Sequence, residues 1–83
     1  MISVNCHPME ENEIREIVEK GHFAELPSAF YRVGRLHAFA SKLATYYIDF
    51  YKEFLSDTGF GNEITEEFLR IYLKGFSDGM EAR

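Results

Sequence analysis

The sequence is poor in cysteine, proline and basic residues, and it has no tryptophan. Its single cysteine, Cys6, excludes a disulfide framework within the chain. No apolar run approaches the roughly 18 residues that a membrane-spanning helix needs, and the first residues lack the basic and apolar regions of a secretory signal. We therefore expect a protein of the cytoplasm that does not associate with membranes.

The 83 residues carry 14 acids against 9 bases, for a net charge of −5. This balance disfavours sequence-independent binding to nucleic acid, which needs many cations on phosphates. Apolar residues make up 46% of the chain and aromatic residues 16%, which excludes a disordered tail. A chain of this length buries only part of its surface, so self-association is expected.

The first helix is predicted over residues 8–20. Pro8 suits the first helical turn, where its missing N–H costs nothing. Several glutamates follow it, and they complement the positive end of the helix dipole. Lys20 followed by Gly21 is a stop signal.

Apolar residues at helical spacing predict a long central helix over residues 27–57. The stripe runs in steps of three and four through Ala29, Val33, Leu36, Ala40, Leu43, Tyr47, Phe50 and Phe54. About thirty helical residues would span about 45 Å, which is longer than a compact chain of this size. The helix therefore either kinks, with Gly34 or Ser41 as candidate sites, or pairs with a second copy.

Two glycines and an asparagine after the central helix predict a turn. Thr65 is then expected as the N-cap of a third helix over residues 65–79. The prediction is thus an all-α fold of three helices in one domain, 1–83. Residues 1–7 and 80–83 are expected to be flexible.

The apolar stripe is longer than one small core needs, so a helical homodimer is expected. Aromatic side chains anchor many protein interfaces. The residues expected in the dimer or partner interface are Phe30, Val33, His37, Ala40, Ala44, Tyr47, Tyr51 and Phe54. Those expected on a further partner-facing surface are Tyr31, Tyr46, Phe60, Glu63, Glu66 and Glu67.

Few residues suit chemistry at a metal or catalytic site. Cys6 and His7 are zinc-ligand types, but only His22 and His37 remain as histidine partners, and no recurring ligand spacing is present. His37, at the edge of the stripe, fits a hydrogen-bonded core or interface residue better than a catalyst. The sequence has no phosphate-binding loop and no nucleophile elbow. We expect no enzyme, no catalytic residue, no metal and no cofactor.

A basic patch of Arg32, Arg35 and Lys42 follows the first helix. A helix-turn-helix protein would present such a patch to DNA. The acidic flanks of the chain favour another interpretation, in which these cations match the glutamates of the first helix.

The segment from Tyr72 to Met80, YLKGFSDGM, resembles the ends of short phage- or prophage-encoded accessory proteins. This resemblance implies a small protein of the host cytoplasm that binds a host machine, such as a nuclease or polymerase, and blocks or redirects it. We therefore predict a protein-binding inhibitor or adaptor whose acidic ends imitate nucleic-acid phosphates. A structural or regulatory homodimer is the alternative.

Overall fold

The computed structural model of the chain describes residues 9–82, with side chains from residue 13 onward. These residues form four α-helices, and a short 3₁₀ helix at Phe23–Glu25 precedes the second one. The helices are α1 (Met9–Lys20), α2 (Leu26–Phe39), α3 (Ala44–Asp57) and α4 (Asn62–Ala82). The described part contains no strand, so the all-α prediction is confirmed, whereas the count of three helices is wrong.

The predicted central helix is divided into α2 and α3 by a tight turn at Ser41. Ser41 has a φ of +58°, in the left-handed region that side chains rarely adopt. The Lys42 N–H donates to the carbonyl of His37 at 2.9 Å, and the Ser41 N–H donates to that of Ala38 at 3.2 Å. These are the two hydrogen bonds of a Schellman motif, which ends a helix. A continuous rod over 27–57 is therefore wrong.

The ends of α1 and α3 follow the same pattern with glycine in the left-handed position. Gly21 has a φ of +76° and Gly59 a φ of +100°. The next residue in each case, His22 or Phe60, donates its N–H back into the last turn of the helix. Glycine reaches this conformation without a steric penalty. The sequence therefore marks these two helix ends directly, whereas it offered Ser41 only as one of two candidate kink sites.

The last helix begins before its predicted start. The Thr65 N–H donates to the Gly61 carbonyl at 3.0 Å, so Thr65 lies inside the first turns of α4. Its side chain is buried, and it is not the N-cap. At the other end α4 continues to Ala82, so residues 80–82 are helical, and their flexibility stays a prediction.

The closest packing in the fold is between α2 and α4. A methyl group built on Gly34 would overlap the Tyr72 carbonyl, and one built on Gly75 would overlap the Tyr31 carbonyl. Further along, such a group on Gly79 would lie 2.8 Å from the Cβ of Ala38. Phe30 near the start of α2 lies against Phe68 near the start of α4, and Ala38 near the end of α2 lies against Gly79, so the two helices run in the same direction. Gly34 is thus not a kink but a point of close backbone approach.

The core lies where α1 and α3 pack onto this helix pair. The ring of Phe30 stacks on Phe68 with centroids 5.4 Å apart and meets the edge of Tyr51 at 5.2 Å. The buried apolar residues of the described part are Ile14, Ile17, Leu26, Ala29, Phe30, Val33, Ala38, Tyr47, Tyr51, Leu55, Phe68, Leu69 and Tyr72. The radius of gyration is 12.5 Å. None of the helices within residues 9–82 combines the length and apolarity that crossing a bilayer requires.

Candidate functional site

The structure places most of the predicted dimer interface inside the chain itself. Phe30, Val33, His37, Tyr47 and Tyr51 are all buried among the chain's own helices. Of the other predicted residues, Ala44 and Phe54 are half-buried and Ala40 is exposed. A partner therefore cannot reach the centre of the predicted interface while this core is intact.

His37 is a core residue of α2 that packs against α3 and α4. It is 1% exposed, and its Nδ1 lies 2.7 Å from the Tyr72 hydroxyl oxygen. Its ring lies 4.1 Å, centroid to centroid, from that of Tyr47. This agrees with the interpretation of His37 as a hydrogen-bonded core residue, and it buries the ring away from any substrate.

Apolar residues of the stripe and of its flanks stay exposed around the turn between α2 and α3. Four large apolar side chains lie there, and we call them the apolar corner: Leu36, Phe39, Leu43 and Tyr46. Leu43 is 72% exposed and Tyr46 is 61% exposed. Single exposed apolar residues are ordinary, whereas a group of them is typical of interaction surfaces. Of the four, only Tyr46 was predicted to face a partner.

Two cations accompany the apolar corner. The Arg35 guanidinium lies over the Phe39 ring at 5.9 Å, and Lys42 is exposed in the turn itself. Among the residues that the structure describes, neither forms an ion pair. Arg32, in contrast, donates to the Glu13 carboxylate of α1. The predicted match between the basic patch and the first helix is thus confirmed for Arg32 alone.

The opposite end of α2 carries a second exposed apolar group, surrounded by acids. Phe23 and Ile64 are each about half exposed, and the Phe23 ring meets the half-buried Phe60 edge-on at 5.3 Å. Exposed glutamates begin α4 beside this group. We call this surface the acidic end, and it comprises Phe23, Phe60, Ile64, Glu63, Glu66 and Glu67. Its three glutamates are all exposed, so the acidic part of the predicted partner-facing surface is accessible.

Tyr31 is engaged within the chain rather than free for a partner. Its hydroxyl donates to the Asp78 carboxylate at 2.5 Å, which joins α2 to α4 beside Gly75. The hydrogen bond to Asp78 raises the pKa of Tyr31 above its ordinary value. The same bond, helped by Lys74, lowers the pKa of Asp78. The pair therefore fastens the two central helices at their outer edge.

A shallow polar groove of about 430 Å³ separates α3 from the start of α4. Its lining consists of Asp49, Lys52, Glu53, Ser56, Asn62 and Thr65. All but Thr65 are exposed, so water fills the groove and screens its charges. No histidine or cysteine lines it, and both acidic residues of its lining, Asp49 and Glu53, are exposed to solvent.

No group of three or more metal-ligand side chains comes together within the described part of the chain. Cys6 and His7, the ligand types that the sequence singles out, lie outside the described residues. His22 is exposed and lies 3.7 Å from Glu25, while His37 is buried. The two histidines that could have joined a zinc site are therefore in different environments.

Comparison with protein-family models, with curated proteins and with solved structures found no match to this chain. Its function must therefore be inferred from its own surfaces. These are the apolar corner with its two cations, the acidic end, and the shallow polar groove.

Sequence reasoning missed the apolar corner because it assigned Leu36 and Leu43 to one buried stripe. The stripe does have helical spacing. The chain turns at Ser41, however, and both side chains are left exposed next to the turn. The local sequence signal was limited to the polar pair Ser41 and Lys42 within an otherwise apolar pattern.

Proposed function

We propose that this chain is a non-enzymatic protein-binding module whose main contact surface is the apolar corner. The observation that supports it is the exposure of Leu43 and Tyr46, at 72% and 61%, beside the exposed Leu36 and Phe39. Burying such side chains against a partner removes apolar area from water at about 25 cal/mol per Å². A tyrosine and an arginine beside them are the residue types that dominate interface energetics.

The more specific role that we propose is that of an inhibitor or adaptor acting on a larger protein of the cytoplasm. The resemblance of residues 72–80 to the ends of short phage accessory proteins supports this role. The acidic end offers negative charge to a basic channel that normally holds nucleic acid. Glu63 and Glu66 form no ion pair within the described residues, whereas Glu67 is paired with Arg70 at 3.0 Å. An inhibitor of this kind combines an apolar anchor with an electrostatic match.

The test is affinity capture from host extract with the wild-type chain and two variants. Leu43→Glu places a charge in the apolar corner, and the triple change of the three glutamates to glutamine removes the acidic surface. Both changes fall on exposed positions, so both variants should fold. A target bound through the apolar corner is lost with Leu43→Glu at every salt concentration.

Salt concentration separates the two contributions. A target held by imitation of nucleic acid should dissociate steeply as ionic strength rises, and it should be lost in the glutamine variant. A target anchored by the apolar corner should persist in high salt. Capture that is the same for wild type and both variants would contradict the proposal.

A regulatory homodimer is the second candidate function. The exposed corner favours it as much as it favours a foreign partner, because either would cover the same side chains. DNA binding through Arg32, Arg35 and Lys42 is less well supported, since Arg32 is already paired with Glu13. Affinity for nucleic acid depends on the number of cations that contact phosphates, and pairing of Arg32 leaves two of the three in this patch.

A further inference from the structure

The molecule carries exposed apolar side chains at both ends of α2, with charges of opposite sign beside them. At one end the apolar corner is accompanied by Arg35 and Lys42. At the other end, Ile64 and Phe23 lie beside the glutamates that begin α4. The two surfaces therefore match each other in both polarity and charge.

The two surfaces are too far apart to meet within one chain. The 14 residues of α2 span about 21 Å at 1.5 Å per residue, with the acidic end near its start and the apolar corner near its finish. The Phe23–Phe60 contact fixes the acidic end at the start of α2, because Phe23 immediately precedes that helix. Only another molecule can bring the two surfaces together.

The charges at each end are largely available for such a contact. Within the described residues, Glu63 and Glu66 form no ion pair, and neither do Arg35 and Lys42. Asp78 and Glu81 also lie in the last turns of α4, toward the apolar corner. Tyr31 and Lys74 already engage Asp78.

We propose that the acidic end of one copy docks on the apolar corner of a second copy, so that the chain self-associates head to tail. Ile64 and Phe23 of one molecule cover Leu43 and Tyr46 of the next, and Glu63 faces Lys42 across the contact. Opposite charges placed across an interface select this contact over pairing of the corner with a second corner, or of the acidic end with a second acidic end, in which like charges would meet. Where each pair of molecules makes this contact once, it leads to rings or open chains, and only a pair that makes it twice closes into a two-fold dimer.

This contact is distinct from the binding of a foreign protein, although both cover the apolar corner. It also differs from the symmetric pairing of long central helices that the sequence predicts. Most residues of that predicted pairing are buried in the chain, whereas those proposed here are exposed.

The experiment uses one variant that blocks each surface. Leu43→Glu disables the apolar corner and leaves the acidic end intact, whereas Ile64→Lys disables the acidic end and leaves the corner intact. Each purified protein is studied by light scattering over a range of concentrations up to millimolar, alone and as an equimolar mixture. Circular dichroism confirms that each variant is folded, and Tyr46→Glu replaces Leu43→Glu if that variant is not.

The wild-type chain should show an average mass that rises with concentration above the 9.7 kDa of one chain. Each variant alone should stay at that mass, because each lacks one of the two surfaces. The mixture should contain a 1:1 complex of twice that mass, in which the Leu43→Glu chain supplies its acidic end to the corner of the Ile64→Lys chain.

Two results would overturn the inference. One is a wild-type chain that stays at 9.7 kDa at millimolar concentration. The other is a mixture that shows no complex although the wild type self-associates, since that pattern belongs to a symmetric contact. Because these measurements contain this chain alone, their failure leaves the capture of a foreign partner unaffected.

Discussion

Gly75 of α4 lies directly against the backbone carbonyl of Tyr31 in α2, with no room between them for a side chain. Gly34 meets the backbone of Tyr72 in the same way. The two central helices thus approach each other through their main chains, and the rest of the core is arranged around that contact.

Replacing Gly75 with alanine should destabilise the protein strongly. The added methyl group would overlap a carbonyl of α2, and neither helix can move away without opening the core. Overpacking of this kind costs about 1–3 kcal/mol or more. Urea denaturation measures the loss in the free energy of unfolding.

Gly61→Ala is the matched control for this change. Gly61 has nothing within 4 Å of the position its Cβ would take. Its replacement should leave stability within about 0.5 kcal/mol of wild type. Equal stability of the two variants would show that α2 and α4 do not approach as closely as described.

Tyr46 and Tyr47 are neighbours on α3 that should respond oppositely to a negative charge. Tyr47 is 8% exposed and packs on His37, so Tyr47→Asp buries a carboxylate and should cost more than about 3 kcal/mol. Tyr46 points outward, and Tyr46→Asp should cost about 1 kcal/mol or less. Thermal unfolding of the two variants side by side measures the difference. A stable Tyr47→Asp protein would contradict the assignment of Tyr47 to the core.

Ser41→Gly should stabilise the protein, unlike most changes to glycine. Ser41 holds a φ of +58°, which costs a side-chain-bearing residue about 1 kcal/mol and glycine almost nothing. The gain in the free energy of unfolding should therefore be up to about 1 kcal/mol.

Ser77→Gly, in the interior of α4, provides the comparison for Ser41→Gly. Glycine there should cost about 0.5 kcal/mol because it weakens the helix. Urea midpoints that shift in opposite directions for the two variants are the expected result. A loss of stability with Ser41→Gly would mean that α2 continues through the turn.

The Tyr31–Asp78 hydrogen bond should make stability depend on pH at both extremes. Asp78 has a lowered pKa in the folded state, so its contribution is present above its unfolded-state pKa, about 3.9, and is lost as pH falls through the folded value. Tyr31 has a raised pKa, so its contribution is present below its unfolded-state pKa, about 10, and is lost as pH rises through the folded value.

Tyr31→Phe tests this coupling directly. Removing the hydroxyl takes away the main cause of the lowered pKa, so the carboxyl of Asp78 should titrate nearer its ordinary value. Nuclear magnetic resonance of the Asp78 side chain measures that pKa in both proteins. An unchanged titration would show that Lys74, rather than Tyr31, holds the carboxylate in its charged form.

The fold could be predicted from the sequence wherever a glycine or a charge pattern marks a helix end. Gly21 and Gly59 end their helices as expected, since glycine is the usual residue of a left-handed stop. Ser41 was one of two candidate kink sites, but a complete helix end there was not predicted, because serine rarely adopts that conformation and the apolar spacing continues across it. The start of α4 was placed too late because Thr65 is a good N-cap residue. In the structure it lies within the helix, and its side chain is buried.

The surfaces were harder to predict than the helices. Helical spacing identifies which residues share a face, but it does not show which face the rest of the chain covers. Tyr47 is buried and packs on His37 of α2, whereas Leu43 on the same stripe is exposed. That difference depends on packing between residues distant in sequence, and no local pattern contains it.

The close contact between α2 and α4 also bears on how the protein is made. Tyr31 and Gly75 are separated in the sequence by the whole of α3, so the central pair cannot form while α4 is still within the ribosome. Until then, the aromatic side chains of α2 and α3 remain in contact with water or with chaperones. The exit of α4 from the ribosome is therefore expected to set the moment at which the nascent chain becomes resistant to proteases.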